Sequence, residues 1–406
     1  MIFITSRIND HGIFLFIADN IGVFFKSVKS QRVNRDHKDK INNFATNLNH
    51  LSPKGNQMTK EYDFIIVGQG LAGTCLSYHL IMQGKRVLVF DDPLMPSSSV
   101  VAGGIFNPIT GRNMILTWKA HMLFDFLISF YRSLENLLSI QFLHVLPLYH
   151  PFSNQKEQTR WLSEGQEPKY AGFIEKIVDI PSSAVGIDDP LGGIFLGKSG
   201  YLEVPVLLKS YSQFLQRKHL IVHEQFDLNF LQHKSGKVVY KDCTTSTVIF
   251  CQGALGFSSR YFDRVQFSPV KGEIIMVESE DLPDWIINKG IFMLPHQQYM
   301  EVGSTYNRDD NSWEPTLLAR DWLTKKLKQL YHREFKVVDQ KAGIRPAMAD
   351  RRPVVGLLPD YPNIGIFNGL GTKGVTLAPY FAAQFANYLL QGDSLDKEVS
   401  LNRFFD

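Results

Sequence analysis

Tyr62-Asp63-Phe64-Ile65-Ile66-Val67-Gly68-Gln69-Gly70-Leu71-Ala72-Gly73 is the stretch that decides the fold. Its opening apolar run is too short for a helix and reads as a parallel strand covered on both faces. The glycines then serve three purposes. Gly68 permits the tight turn, Gly70 lets a pyrophosphate approach the backbone, and Gly73 lets the following helix pack on the strand. Unpaired N–H groups and the helix dipole at Leu71 and Ala72 favour a negative charge there. A helix is expected from about Leu71 to Gln83 and a second apolar strand from Arg86 to Phe90. Asp91 or Asp92, ending that strand, is placed to accept hydrogen bonds from a ribose, which favours FAD or NAD over NADP. The unit is a dinucleotide-binding β-α-β.

Outward from this unit, the 406 residues are 44% hydrophobic and 20% charged, an ordinary globular mixture with room for a large core. The formal charge of +3 is uneven. Residues 1–57 hold eight Lys/Arg and four Asp, a net +4, so the remainder carries −1. A body without net positive charge does not advertise phosphate-backbone binding, although a local basic patch stays open. Cys75, Cys243 and Cys251 are scattered, which suits a reducing, cytoplasmic setting, and no metal site is expected. Ile13–Phe25 is apolar but interrupted by Asp19 and Asn20, too short to span a bilayer and unlike a signal peptide. Residues 27–57 are polar and are expected to have little fixed structure. Met58 precedes the first strand, so residues 1–57 are expected to be a flexible leader or the product of a mis-set start, with a targeting arm as the alternative.

Later in the chain, helical patterns fall at 116–138, 204–217 and about 315–331, and strand patterns at 220–222, 238–240, 245–251, 270–278, 290–294 and 299–305. The small-residue segment Ser97 to Pro108, containing Gly103, Gly104 and Ile105, would let a planar ring lie against the backbone. Thr247 to Gly253 reads as a buried strand ending at a glycine. A final apolar helix is expected over about Val375 to Leu390.

Two late motifs separate the cofactors. The first runs Lys341-Ala342-Gly343-Ile344-Arg345-Pro346, and the second Asn368-Gly369-Leu370-Gly371-Thr372-Lys373-Gly374-Val375. With the opening fingerprint, Ala102-Gly103-Gly104, Gly200 to Pro205, Pro269 to Glu273 and Gly303 to Tyr306, they occur in an order that resembles the D-amino-acid oxidase and glycine oxidase superfamily of flavoproteins. The resemblance covers about Tyr62 to Leu390. It implies an α/β protein: a Rossmann-like FAD-binding domain assembled from discontinuous segments, with an inserted α+β substrate domain of mixed sheet. The expected boundaries are 58–111, 246–260 and 341–406 for the FAD-binding domain, and 261–340 for substrate domain. Residues 112–245 are mostly substrate domain with FAD-domain segments.

The resemblance also implies roles. Non-covalent FAD would lie along Gly68, Gly70, Leu71, Ala72, Gly73, Asp91 and Asp92, then Gly103, Gly104, Ile105 and Gly253, and finally Gly371, Thr372, Lys373, Gly374 and Val375. Arg345 would bind the substrate carboxylate, as two parallel guanidinium donors suit that group. Lys373, opening the last helix, would steady negative charge at the reduced flavin. Tyr201, His296 and Tyr299 are further candidates for the substrate cavity, although core or hairpin roles are the first expectation at these positions. The implied reaction moves a hydride from the carbon beside a neutral amine to flavin N5, needs no side-chain base, and leaves an imine to hydrolyse; dioxygen is the expected electron acceptor. The first expectation is a stand-alone oxidase of a small amino acid or N-substituted glycine. The second comes from Gly369–Gly374, most similar to the oxidase module of the bifunctional tRNA 5-methylaminomethyl-2-thiouridine biosynthesis protein, which acts on a carboxymethylated wobble-uridine amine. Nothing before Tyr62 resembles that protein's methyltransferase half. A dehydrogenase feeding a quinone or protein acceptor is the third reading, and a flavin-binding module without turnover the last.

Overall fold

The computed structural model describes residues 8–9, 12–13 and 60–405, apart from 112, 183–185 and 258. Expectations for the leader lie outside the described residues, except for a short antiparallel pair, Ile8–Asn9 with Gly12–Ile13.

Strand Lys60–Val67, helix Leu71–Met82 and strand Val87–Phe90 form the β-α-β unit, the two strands parallel in register from Phe64↔Val87 to Val67↔Phe90. Ile221–Val222 extends this sheet on one side, and Cys243–Phe250 pairs in parallel on the other. The far edge of Cys243–Phe250 forks. Its first half pairs with Lys237–Tyr240, which continues to Leu231–Lys234, and its second half pairs in parallel with Ile364–Asn368. Alternate residues of the central strands enter two cores. Phe64, Ile66, Val87 and Val89 face the helices Leu71–Met82 and Gly374–Gln391, while Ile65, Val67, Leu88 and Phe90 meet Phe226 and Tyr240. Coverage on both faces explains the unbroken apolar runs.

A second, eight-stranded sheet runs Ile174–Val178, Gly193–Leu196, Leu148–Pro151, Ile286–Lys289, Ile291–Pro295, Met300–Gly303, Val270–Glu278, Lys336–Arg345. It is mixed: Leu148–Pro151 and Ile286–Lys289 are parallel and the other neighbours antiparallel. One face buries Ile275, Val277, Met293 and Val302 under Leu323, Leu327 and Leu330 of helix Leu317–Leu330. The opposite face, carrying Gly272, Ile274 and Gly343, turns toward the dinucleotide unit.

The edge strand Lys336–Arg345 has no strand pattern of its own in the sequence. Arg345 ends it, paired with Val270. The short helix Ser98–Val101 packs on Gly343, and Ser98 Oγ donates to the Ile344 carbonyl, joining the small-residue segment to the Arg345 strand. No described helix is long and apolar enough to cross a membrane. The sequence's one His-x-x-x-His spacing, His219 to His223, brackets strand Ile221–Val222 and so gives no helical ligand pair.

Candidate active site

A cavity of about 1510 Å³ lies between the two sheets. That exceeds the roughly 300–1,000 Å³ of a usual small-ligand pocket and leaves room for a dinucleotide beside a substrate. Gly68, Gly70, Leu71 and Ala72 line one end with Asp91 and Asp92. The helix N-terminus has no cap from Gly70 and no acidic residue in its first turn, and the Leu71 N–H has only a long 3.4 Å bond to Ser99 Oγ, so this end suits an anion. Asp91 Oδ1 accepts the Gln69 N–H at 2.7 Å, its other oxygen has no donor among the described residues, and burial pushes its carboxyl up. Gly68 sits at φ +100°, with an added Cβ falling 2.6 Å from the Cys251 carbonyl oxygen. Gly73 does not line the cavity. A Cβ there would stand 1.9 Å from the Gly68 oxygen, so its smallness serves the helix–strand contact.

Gly103, Gly104 and Ile105 line the middle of the cavity. Their glycines are imposed by the protein itself, for a Cβ on Gly104 would meet the Leu202 oxygen at 1.9 Å and one on Gly103 the Phe292 ring at 3.1 Å. Gly253 lines the wall nearby, its carbonyl accepting the Asn368 amide at 2.9 Å. Gly371, Thr372, Lys373, Gly374 and Val375 also line the cavity, at the start of helix Gly374–Gln391. The Gly371 N–H donates to the Pro346 carbonyl at 3.0 Å, which ties this turn to the Gly-Ile-Arg-Pro segment. Lys373 Nζ donates to Thr110 and Thr117 hydroxyls, each at 3.0 Å. Burial, then Arg352, lowers its pKa to about 8.

Arg345 lines the other end. Its guanidinium donates to Ser304 Oγ at 2.6 Å and to the Thr305 carbonyl at 3.2 Å, all neutral partners, and makes no ion pair among the described residues. Burial pushes its pKa down. A buried cation without a carboxylate is costly unless a ligand supplies one. Gly272 makes room for it: a Cβ there would fall 2.0 Å from Nη2.

Tyr201, His296 and Tyr299 are not among the residues that line this cavity. His144, Tyr201, His296 and Tyr299 instead pack ring on ring, with centroids 4.4, 5.6 and 4.6 Å apart in that order. Strand Gly200–Leu202 is wholly buried and turns Tyr201 toward that stack. Sequence reasoning assigned no role to Gly272, Ser304, Thr110, Thr117, Tyr306 or Arg308. One usable signal was Lys271-Gly272-Glu273, two charges inside an otherwise apolar strand.

The double-sheet fold, with a glycine-lined dinucleotide cradle at one end of its cavity and a cation at the other, is that of a nucleotide-cofactor oxidoreductase. The chain belongs to the family of FAD dependent oxidoreductases, whose model matches residues 63–388. It is similar to glycine oxidase of Bacillus subtilis, 22% identical over 84% of this chain and 95% of that protein. It is also similar to the tRNA 5-methylaminomethyl-2-thiouridine biosynthesis bifunctional protein MnmC of Hahella chejuensis, 23% identical over 84% of this chain and 59% of that protein. The glycine oxidase structure from Bacillus cereus shares the fold at a TM-score of 0.68 and 16% identity, covering 82% of this chain and 96% of that one. The cofactor is therefore FAD, and the uncapped helix, the open Asp91 oxygen and the cavity volume fit it.

Proposed function

We propose that this enzyme oxidises the C–N bond of a small amino acid or N-substituted glycine, with Arg345 holding the substrate carboxylate. The observation that carries this reading is the half-buried Arg345 guanidinium, which faces the cavity with only neutral partners. Ser304 and Thr305 fix its plane, leaving donors for a bidentate pair with a carboxylate. Anchored there, a 2-amino acid or N-carboxymethyl amine presents its Cα–H to the middle of the cavity, beside Gly103 and Gly104. Those residues, with Gly68 to Ala72, Asp91, Asp92, Gly253 and Gly371 to Val375, would hold FAD. When bound, FAD supplies the hydride acceptor. The Lys373 ammonium, held by Thr110 and Thr117, provides positive charge beside the cofactor, and dioxygen is the proposed final acceptor.

Wobble-uridine oxidation on tRNA is the second reading. It is favoured by Tyr306 and Trp313 lining the same cavity with Arg308 and Arg351, a pairing of aromatic and basic side chains suited to a nucleotide. A cytoplasmic setting suits either reading, given three buried free cysteines. Anaerobic addition of glycine, sarcosine and carboxymethylaminomethyl-modified tRNA to the FAD-loaded protein separates the readings. Bleaching by a small amine supports the first. Bleaching by tRNA alone replaces it with the second.

A further inference from the structure

Residues 306–314 cross the substrate end of the cavity as a strap, and a fully buried lysine fixes it. Lys271 Nζ donates to Asp310 Oδ2 at 2.6 Å, Ser312 Oγ at 2.9 Å and the Glu314 carbonyl at 2.5 Å. The Lys271 and Asn307 backbones exchange hydrogen bonds at 2.8 and 3.0 Å. Lys271 adjoins Gly272, against which the Arg345 guanidinium lies, so the strap and Arg345 are set by the same few residues.

The strap directs Tyr306 and Arg308 to the cavity. Arg308 donates to the Tyr306 hydroxyl at 3.3 Å and to Ser268 Oγ at 3.4 Å, and its guanidinium lies 5.6 Å from the Tyr306 ring centroid. It makes no ion pair among the described residues, and Asp310, the acid of the strap with a fixed partner, is taken by Lys271. Tyr306 and Arg345 line the same cavity. Arg345, Tyr306 and Arg308 thus share one cavity, with Arg308 bonded to the Tyr306 hydroxyl. Two guanidinium groups that line one cavity, neither in an ion pair among the described residues, suit two anions on one ligand.

We infer that Arg308 and Tyr306 form a second anion-binding position, and that the favoured substrate carries a further carboxylate or phosphate-type group beyond the carboxylate held by Arg345. The inference rests on the reading of Arg345 as the carboxylate anchor and extends it. A small diacid and a phosphorylated substrate share this chemistry.

Equilibrium binding separates the parts without requiring turnover. Isothermal titration of the FAD-loaded protein would use pentanoate, glutarate and 4-phosphonobutyrate, alike in length and differing in the distal group. Glutarate or 4-phosphonobutyrate is expected to bind about tenfold more tightly than pentanoate, less so at high salt because Arg308 is exposed. Which dianion is preferred tells carboxylate from phosphate. Arg308→Ala should abolish the preference, leaving pentanoate affinity and the melting temperature unchanged. No dianion preference in the parent protein, or one that survives Arg308→Ala, overturns the second position. Arg345→Ala should weaken all three ligands; unchanged pentanoate affinity there overturns the anchor instead, and Arg308→Ala still decides the second position.

Discussion

Gly272→Ala should cripple carboxylate recognition while leaving the fold intact. The new methyl carbon would stand 2.0 Å from Nη2, 2.2 Å from Cζ and 2.3 Å from Nη1 of Arg345. Non-bonded carbons need about 3.5 Å or more, so the guanidinium must retreat by roughly 1.5 Å. Its bonds to Ser304 and Thr305, at 2.6 and 3.2 Å, cannot survive such a shift. Misplacing a binding group by about 1 Å can cost about 10²-fold in rate, or about 2.7 kcal/mol of transition-state binding. The backbone resists little, because Gly272 is not among the residues at positive φ and sits in a regular strand. The obstruction is the far end of a flexible side chain, so the stability loss should stay under about 1 kcal/mol. The assay is anaerobic stopped-flow reduction of the flavin by a carboxylate-bearing amine, alongside thermal melting. A double-mutant cycle adds the decisive comparison: in an Arg345→Ala background, Gly272→Ala should have no further effect. A Gly272→Ala enzyme that reduces its flavin at the parental rate and affinity would refute the placement of Arg345.

Other perturbations test the remaining contacts. Lys373 is charged at neutral pH and loses its proton above about pH 8, so cofactor affinity or turnover that uses the ammonium should fall through that pH; Lys373→Met should remove that falling limb, and Lys373→Arg should move it beyond the accessible range. Because its folded pKa is depressed, burying the charged lysine opposes folding in full below about pH 8, and this penalty is relieved as pH rises from there toward the ordinary lysine value. Lys373→Met apoprotein should therefore gain stability relative to the parent at pH 7 and lose that advantage above pH 10, read by urea denaturation at both pH values. Lys271→Met leaves Asp310 and the buried Glu273 without their cation and should cost about 3 kcal/mol in chemical denaturation; an unchanged midpoint would contradict the role of Lys271 in fixing the strap. Gly73→Ala drives a Cβ into the Gly68 carbonyl, at 1.9 Å, and should abolish FAD retention on gel filtration; a variant that keeps its flavin would contradict the need for close helix–strand contact there.

Local sequence carried the dinucleotide unit well, because each requirement there is met within about thirty residues. The helix expected at 204–217 spans Val204–Arg217, where Pro205 opens the helix and Arg217 ends it. The second sheet was harder. Leu148–Pro151, Ile174–Val178 and Gly193–Leu196 are short, and pairing with distant partners sets their register. Lys336–Arg345 reads as polar because it is an edge strand, and its extended form depends on Val270–Glu278. The candidate site divides in the same way. Arg345 and Lys373 stand out in motifs, but Thr110 and Thr117 reach Lys373 from 263 and 256 residues away and leave no local trace. Tyr201, on strand Gly200–Leu202, meets His296 and Tyr299, in the turn between Ile291–Pro295 and Met300–Gly303, in a ring stack, a contact that local sequence does not signal.

The central claim is that FAD-dependent C–N oxidation here is directed by a carboxylate held at Arg345. The direct measurement is anaerobic bleaching of the FAD-loaded protein by glycine, sarcosine and N-substituted glycines. Each would be compared with the amine lacking its carboxylate, in the parent and in Arg345→Ala. The account predicts bleaching by at least one carboxylate-bearing amine, none by its decarboxylated counterpart, and about a hundredfold more substrate needed by the variant. Equal bleaching with and without the carboxylate, or by the parent and variant at the same concentration, would contradict it.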